Sequence, residues 1–353
     1  MLKANTSALI ELPSIMYNAG NQGFGFKMTT RQATSLRGVE FHSTKFMYEG
    51  LDYVPQHNNY YELRNMRSSS LVWTELAFSY ARTFRQVSDQ HWSFGITVKK
   101  IQGMGGAIVN VPYANYVVLN DSTLATEELD ANLSYALPLD YTSNNYTDQY
   151  GLSLGNGWAV DIGLLFQKKR DGNGLVSFKR PCEQGWSSYK HKLGISILDL
   201  GYTSLKDNAV QYTFDNAQTY WPGINNFNPD NITEMTAEIN TRYGHSLEAD
   251  ATKFNIGLPT AISIQYEWHP PSYWFFNLTV IHPMPVFKNS IIRPTQILFA
   301  PRFEKRMFEI SFPISLYEWT RGRVGLAVRF LNLTVGTDYF SSWTGFTDLY
   351  GSD

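Results

Sequence analysis

Apolar and polar side chains alternate with period two along much of this chain. Residues 92–99 set Trp92, Phe94, Ile96 and Val98 against Ser93, Gly95, Thr97 and Lys99. Residues 158–167 set Trp158, Val160, Ile162, Leu164 and Phe166 against Ala159, Asp161, Gly163 and Gln167. Successive side chains of a strand point to opposite faces, so each run predicts a strand with one apolar face. The same reading holds at 130–137, 258–268, 308–317 and 323–330, and more weakly at 7–16, 22–30, 72–84, 107–119, 189–203, 273–282, 294–303 and 332–340. The alternation therefore predicts about fourteen strands. Pro313 interrupts one run, and the phase changes near Leu198 and Asp199; both predict bulges. Only residues 39–51 show a rough helical period. They predict a short helix near the start, placed against a barrel mouth, inside a lumen or on a loop.

Three features favour a membrane barrel over a soluble sandwich. The polar faces carry small residues and isolated charges, as a wet or filled lumen tolerates. Aromatics gather at strand ends: Trp92, Trp158, Trp268, Tyr273, Trp274, Tyr317 and Trp319. Trp and Tyr prefer the lipid–water boundary because one end of the ring system is apolar and the other polar. Finally, the links near 269–272, 304–306 and 319–321 are short, while those at 139–155 and 204–252 are long and rich in Asn, Asp and Thr. Outer-membrane barrels have short periplasmic turns and longer outer loops, although the tight 319–321 link departs from strict alternation. The fold expected is all-β: a transmembrane antiparallel up-and-down barrel forming one domain over residues 1–353.

Composition agrees. Aromatics make up 15% of the 353 residues and charged residues only 17%, against roughly 25% charged in soluble domains. Mean hydropathy is nevertheless −0.28, which fits one face in lipid and one in water. The formal net charge of −2 leaves no basic excess for nucleic acid. The partners expected are outer-membrane lipid and a protein in a membrane complex. No run of about 18 apolar residues predicts a transmembrane helix. Met1-Leu2-Lys3-Ala4-Asn5-Thr6 lacks the apolar core of an export signal, so the natural start is expected to lie outside this chain. The single cysteine, Cys182, has no disulfide or metal partner.

Reactive constellations are missing from the pattern. The seven histidines include no pair at metal-ligand spacing, and no G-x-S-x-G elbow occurs. Gly103-Met104-Gly105-Gly106 lacks the Lys-Ser/Thr of a phosphate loop and predicts a bend or bulge. Asp171-Gly172-Asn173-Gly174 matches hairpin-turn chemistry better than a calcium loop. No catalytic residue, metal or cofactor is expected. The one chemical lead is the set of charges on polar strand faces: Lys99, Asp130, Asp161, Glu267, Glu309, Arg323 and Arg329. Ionisable groups at membrane depth must be paired or wet. A fixed ion-pair network is favoured over a polar ligand path. Trp92, Trp158, Trp268, Trp274 and Trp319 are the candidate membrane-interface aromatics.

Leu12-Pro13-Ser14 leads to Gly23-Phe24-Gly25-Phe26, and Phe46-Met47-Tyr48-Glu49-Gly50-Leu51 follows. Then come Phe94-Gly95-Ile96-Thr97-Val98-Lys99-Lys100-Ile101-Gln102-Gly103 and Leu193-Gly194-Ile195-Ser196-Ile197-Leu198-Asp199-Leu200-Gly201. Pro301-Arg302-Phe303-Glu304 and Leu333-Thr334-Val335-Gly336-Thr337-Asp338 close the series. In this order the motifs resemble an uncharacterised family of Bacteroidota outer-membrane barrels. That family is similar to the long-chain fatty-acid transporters and to the shuttle and anchor barrels of type IX secretion. The resemblance covers nearly the whole chain. It implies an earlier start and a further closing strand after Tyr350-Gly351-Ser352-Asp353, so the chain is expected to be trimmed at both ends. It implies no catalytic or ligand residues. The function expected is non-enzymatic: holding a secreted or surface protein, or a type IX component, through the long loops, chiefly 204–252. The alternative is transport of a hydrophobic small molecule. A barrel hydrolase ranks third, because no nucleophile and base cluster.

Overall fold

The computed structural model describes residues 2–340 apart from 88, 148, 150, 152, 170–188 and 306. Cys182 and the 171–174 turn motif lie outside the described residues. β1 (Leu2–Ala19) and β2 (Gln22–Val39) form a hairpin, and α1 (Phe41–Glu49) leads to β3 (Tyr60–Val87) and β4 (Gln90–Asn120). There follow β5 (Thr123–Ala136), β6 (Gly155–Lys169), β7 (Tyr189–Leu205), β8 (Ala209–Pro222), α2 (Ile232–Arg242), β9 (Phe254–Gly257) and β10 (Ala261–Trp268). The chain continues through β11 (Trp274–Pro283), β12 (Gln296–Lys305), β13 (Phe308–Ser311), β14 (Ile314–Tyr317), β15 (Arg321–Val324), β16 (Leu326–Phe330) and β17 (Leu333–Thr337). The seventeen described strands share one sheet, and every ladder between them is antiparallel.

Seventeen strands replace the expected fourteen for local reasons. The runs at 92–99 and 107–119 are two halves of β4. They join at a bulge, where Val72 pairs with Gly105 and Trp73 with Gly103, leaving Met104 unpaired. Pro313 has no N–H to donate, and the 308–317 run breaks there into β13 and β14. Gly325 divides β15 from β16. Leu258, in the apolar set of the 258–268 run, lies outside the strands and is fully buried between β9 and β10. The expected loop 204–252 holds β8 and α2. Asn231 caps α2, accepting from the Glu234 N–H at 2.8 Å, and the Glu234 side chain accepts in turn from the Asp230 N–H at 3.1 Å.

The sheet forks along β4. Residues Gln90–Gly103 pair with β6, which continues to β7, β10, β11 and β12. Residues Gly106–Asn120 pair instead with β5, which continues to β8. The first branch is the wall, and the second is the distal sheet. Gly106 marks the fork because a Cβ there would lie 2.7 Å from Ile256 Cδ1.

The wall is strongly curled. Arg31 on β2 and Asp199 on β7 are separated by β3, β4 and β6. A flat sheet would hold them about 19 Å apart, yet their side chains meet at 2.9 Å. A continuous convex row runs Trp92, Phe166, Leu193, Tyr266, Leu278, Phe299, Ile314 and Val324. The next row, on the concave side, runs Ser93, Leu165, Gly194, Gln265, Thr279, Leu298, Ser315 and Arg323. Along the convex row exposure rises to 55% at Val324. Among the described residues no ladder joins β17 back to β1. Side chains connect the margins instead: Lys3 donates to Glu318 at 2.9 Å and Arg37 to Glu318 at 3.2 Å.

The two ends of the wall differ. Turns at 20–21, 269–273 and 331–332 line one end, tied by main-chain bonds such as Thr83 N–H to Asn21 and Leu331 N–H to Met307. At the other end lie α1, the fork and the strap 284–295. The tight 318–320 turn also lies at this end, beside Thr295. An apolar core that includes Leu71, Trp73, Ile101, Ile108, Leu205, Ile256, Leu258 and Ile291 fills the concave side at the fork. The strap crosses this core. Ile291 N–H bonds to Gly257 and Ile292 N–H to Ser35 Oγ at 3.1 Å. Gly257 permits the crossing, since a Cβ there would overlap Ser290 Oγ.

In the distal sheet the apolar face is covered. Tyr135, Tyr212 and Phe214 pack against Ile232, Ile239 and Tyr243 around α2. The expected apolar set Ala131, Leu133 and Tyr135 therefore faces a helix, not an exposed belt. On β3 and β4, Tyr61 and Tyr116 receive His42 and Phe46 of α1.

Candidate functional site

Asp199 sits where β7 changes phase. Val160 pairs with Leu200 and Ile162 with Ile197, so β7 carries one extra residue. Asp199 takes a left-handed φ of 53°, a region Asp enters more readily than most residues. By simple alternation it would share the convex side with Ile195. The bulge turns it inward, where it is 1% exposed. The bulge is held at both main-chain groups. The Asp199 N–H donates to Asp161 Oδ1 at 2.7 Å, and its carbonyl accepts from Thr260 Oγ1 at 2.8 Å.

Three cations converge on the Asp199 carboxylate. Arg31 donates twice, at 2.9 and 3.0 Å, and Lys99 Nζ donates at 2.7 Å. Arg293, from the strap, donates to Oδ2. Lys99 also pairs with Asp161 at 2.7 Å, and Arg31 with Glu75 at 3.3 Å. Trp73 Nε1–H donates to Glu75 at 3.3 Å, and its ring lies under the Arg31 guanidinium at 4.9 Å. Three cations face three carboxylates, so the cluster is neutral. Buried ions are tolerated only in such mutual pairing, and losing one partner leaves uncompensated charge. The arrangement ties β2, β3, β4, β6, β7 and the strap together beneath the apolar core.

A second set lies nearer the short-turn end. Arg302 pairs with Glu267 at 3.2 Å and with Glu304 at 3.4 Å; Arg329 pairs with Glu309 at 2.8 Å and with Glu304 at 3.6 Å. These groups are more exposed than Asp199.

The sequence candidates divide accordingly. Lys99 and Asp161 join the Asp199 cluster, and Glu267, Glu309 and Arg329 join the second set. Arg323 stands apart and pairs with Asp338 at 3.3 Å. Asp130 is a correction: it lies on the distal sheet, accepting from the Asn216 N–H at 2.8 Å, because β5 belongs to the other branch of the fork. Sequence reasoning missed Arg31, Glu75, Asp199, Arg293, Arg302 and Glu304. The phase change at Asp199 was a usable signal. Arg31 falls one position past the predicted 22–30 strand, and Arg293 lies in irregular chain.

The candidate aromatics fall into two groups. Trp92, Trp268 and Trp274 lie at the short-turn end, packed on Phe166, Phe276 and Phe303. Trp158, 59% exposed, lies at the other border of the convex surface beside its pair partner Tyr202. Trp319, 61% exposed, lies in the 318–320 turn. Trp158 and Phe166 stand eight positions apart on β6, about 26 Å along the strand.

Glu318 fastens the sheet margins. Burial pushes its pKa up, but Lys3, Arg37 and the Thr295 N–H outweigh this and hold it below the ordinary glutamate value. Among the described residues no group of three or more His, Cys, Asp or Glu is placed to hold a metal ion, and no helix is long and apolar enough to cross a membrane.

A protein-family model described as a family of unknown function, DUF5723, matches residues 2–338. The chain belongs to this family. The match takes in the wall, the distal sheet, the Asp199 cluster and the strap together, so the described architecture is that of a DUF5723 member. A search of curated proteins found no match.

Proposed function

We propose that this chain is a non-enzymatic β-barrel of the bacterial outer membrane that holds a secreted or surface protein at its distal end. The observation that carries the membrane reading is the convex apolar row crossing eight strands. A surface of that extent is stable only when covered, and the Trp-bearing borders about 26 Å apart match the height of a lipid-facing band, which is roughly 25 Å. Closure into a barrel runs across the margin where Lys3 and Arg37 already reach Glu318.

The end asymmetry supports the protein-holding role. The turns at 20–21, 269–273 and 331–332 gather at one end, and α1, the distal sheet and α2 lie at the other, together with the 318–320 turn. The concave face is occupied by paired charges and capped by apolar core, which favours a holding role over passage of a hydrophobic molecule. The analogy with the type IX secretion barrels rests on the ordered motifs of the sequence. Photo-crosslinkers at exposed distal positions such as Tyr220 and Leu247, read in native membranes, test this reading. One protein captured at near-equal stoichiometry from these sites, and not from turn 331–332, is the expected result. A lone barrel carrying a lipid on its concave side would overturn it in favour of transport.

A further inference from the structure

The fork leaves a cleft of about 570 Å³ between the distal sheet and the β7–β9 edge. Besides Asn132, whose amide is tied to Thr213 and Ser134, four primary amides reach it from four separate elements: Asn110 on β4, Gln211 on β8, Asn255 on β9 and Asn289 in the strap. Among the described residues none of these four amides has a side-chain hydrogen-bond partner within the protein. Tyr202 and Phe287 form an aromatic floor, with ring centroids 5.3 Å apart. Two carboxylates, Asp130 and Asp215, face one cation, Lys288.

These features select a ligand chemistry. A primary amide donates and accepts at once, which suits a ring of hydroxyls that each do both. An aromatic face takes the C–H face of the same ring by apolar contact. The excess of acidic over basic groups opposes phosphate and sulfate. An extended peptide would need a line of main-chain partners on a free strand edge; these amides converge from four elements instead. The volume falls in the range of small-ligand sites. We propose that this cleft binds a neutral sugar of one or two rings.

The cleft opens beside Tyr202, whose pair partner Trp158 marks the distal border of the convex surface. The sugar can therefore come from a soluble glycan or from a glycolipid headgroup in the outer leaflet. The headgroup source rests on the membrane reading above; the sugar chemistry does not.

The test uses the whole chain in a sugar-free zwitterionic detergent. Maltose, lactose and N,N′-diacetylchitobiose are the probes for saturation-transfer NMR and calorimetry, with glucose 6-phosphate as anionic control. The same disaccharides linked to lipid are presented in nanodiscs. Asn110→Ala and Asn255→Ala remove amides that hold nothing in the protein, so circular dichroism should match the parent. At least one neutral disaccharide should bind, each variant should weaken it about tenfold, and the phosphate should not bind. Binding of the free sugar assigns a soluble glycan; binding of the lipid-linked form alone assigns a headgroup. Free-sugar binding in detergent by a chain that fails to enter bilayers would uphold the cleft and remove the membrane reading. No binding in either form, binding unaffected by both variants, or capture of peptides with the same sensitivity would overturn the proposal.

Discussion

The two halves of β4 belong to one strand and have opposite surroundings. Before the Met104 bulge, Phe94 and Val98 are exposed on the convex surface. Beyond it, Ile108, Val111 and Val117 are buried. The wall turns its apolar side chains outward and pairs its charges within. The distal branch packs its apolar side chains against protein, in the fork core, in a cluster around Val111 and under α2. Period two states that a strand has an apolar face; the element opposite decides whether protein or another medium covers it.

Substitutions can break this contrast at either side. The largest effect is expected from Asp199→Ala, which leaves three cations against two carboxylates inside the wall and takes the ion-pair partner from Arg293. It should destabilise the wall by about 3–5 kcal/mol, measured by urea unfolding in detergent, with hydrogen exchange in α2 unchanged. Loss of protection spreading equally into α2 would show the two regions to be one cooperative unit. Next comes Leu278→Lys, in the middle of the convex row, expected to lower bilayer insertion by about 2–4 kcal/mol. Tyr220→Lys, on the exposed distal sheet, should leave insertion unchanged; equal losses would erase the contrast.

Smaller effects sharpen it. Asn231→Ala removes the α2 cap and should cost about 1 kcal/mol, seen as faster exchange confined to the distal helix. Arg302→Ala, in the more exposed ion-pair set, should cost only about 0.2–1 kcal/mol, well below Asp199→Ala. The smallest is a pH effect at Glu318. Its folded pKa lies below its unfolded value, so its contribution is full above about pH 4.3 and fades as pH falls through the lower folded value. Glu318→Gln should flatten that acid limb in a stability-versus-pH series.

Much of the wall was legible in the sequence. Trp92 to Val98 and Trp158 to Phe166 each share one face of the sheet, as the alternation predicts, because unbroken strands preserve period two. The bulges at Asp199 and within Gly103–Gly106 announced themselves as a phase change and a glycine run. The fork did not, since a change of partner along one strand leaves no mark on that strand's own pattern. For that reason Asp130 was placed with the lumen charges. β8 and α2 were hidden among Asn, Asp and Thr residues in the stretch read as one long loop. The Asp199 cluster unites β2, β7 and the strap across 94 to 168 residues, a separation that local pattern cannot bridge.

Oxygen accessibility along β11 tests the central claim most directly. In a Cys182→Ser background, single cysteines at 274 to 283 would carry spin labels in reconstituted bilayers. Contact with membrane-dissolved oxygen should peak at Phe276, Leu278 and Val280 and fall at Asn277, Thr279 and Ile281. The opposite phase, or a flat profile matched by a water-soluble relaxant, would contradict a lipid-facing convex surface.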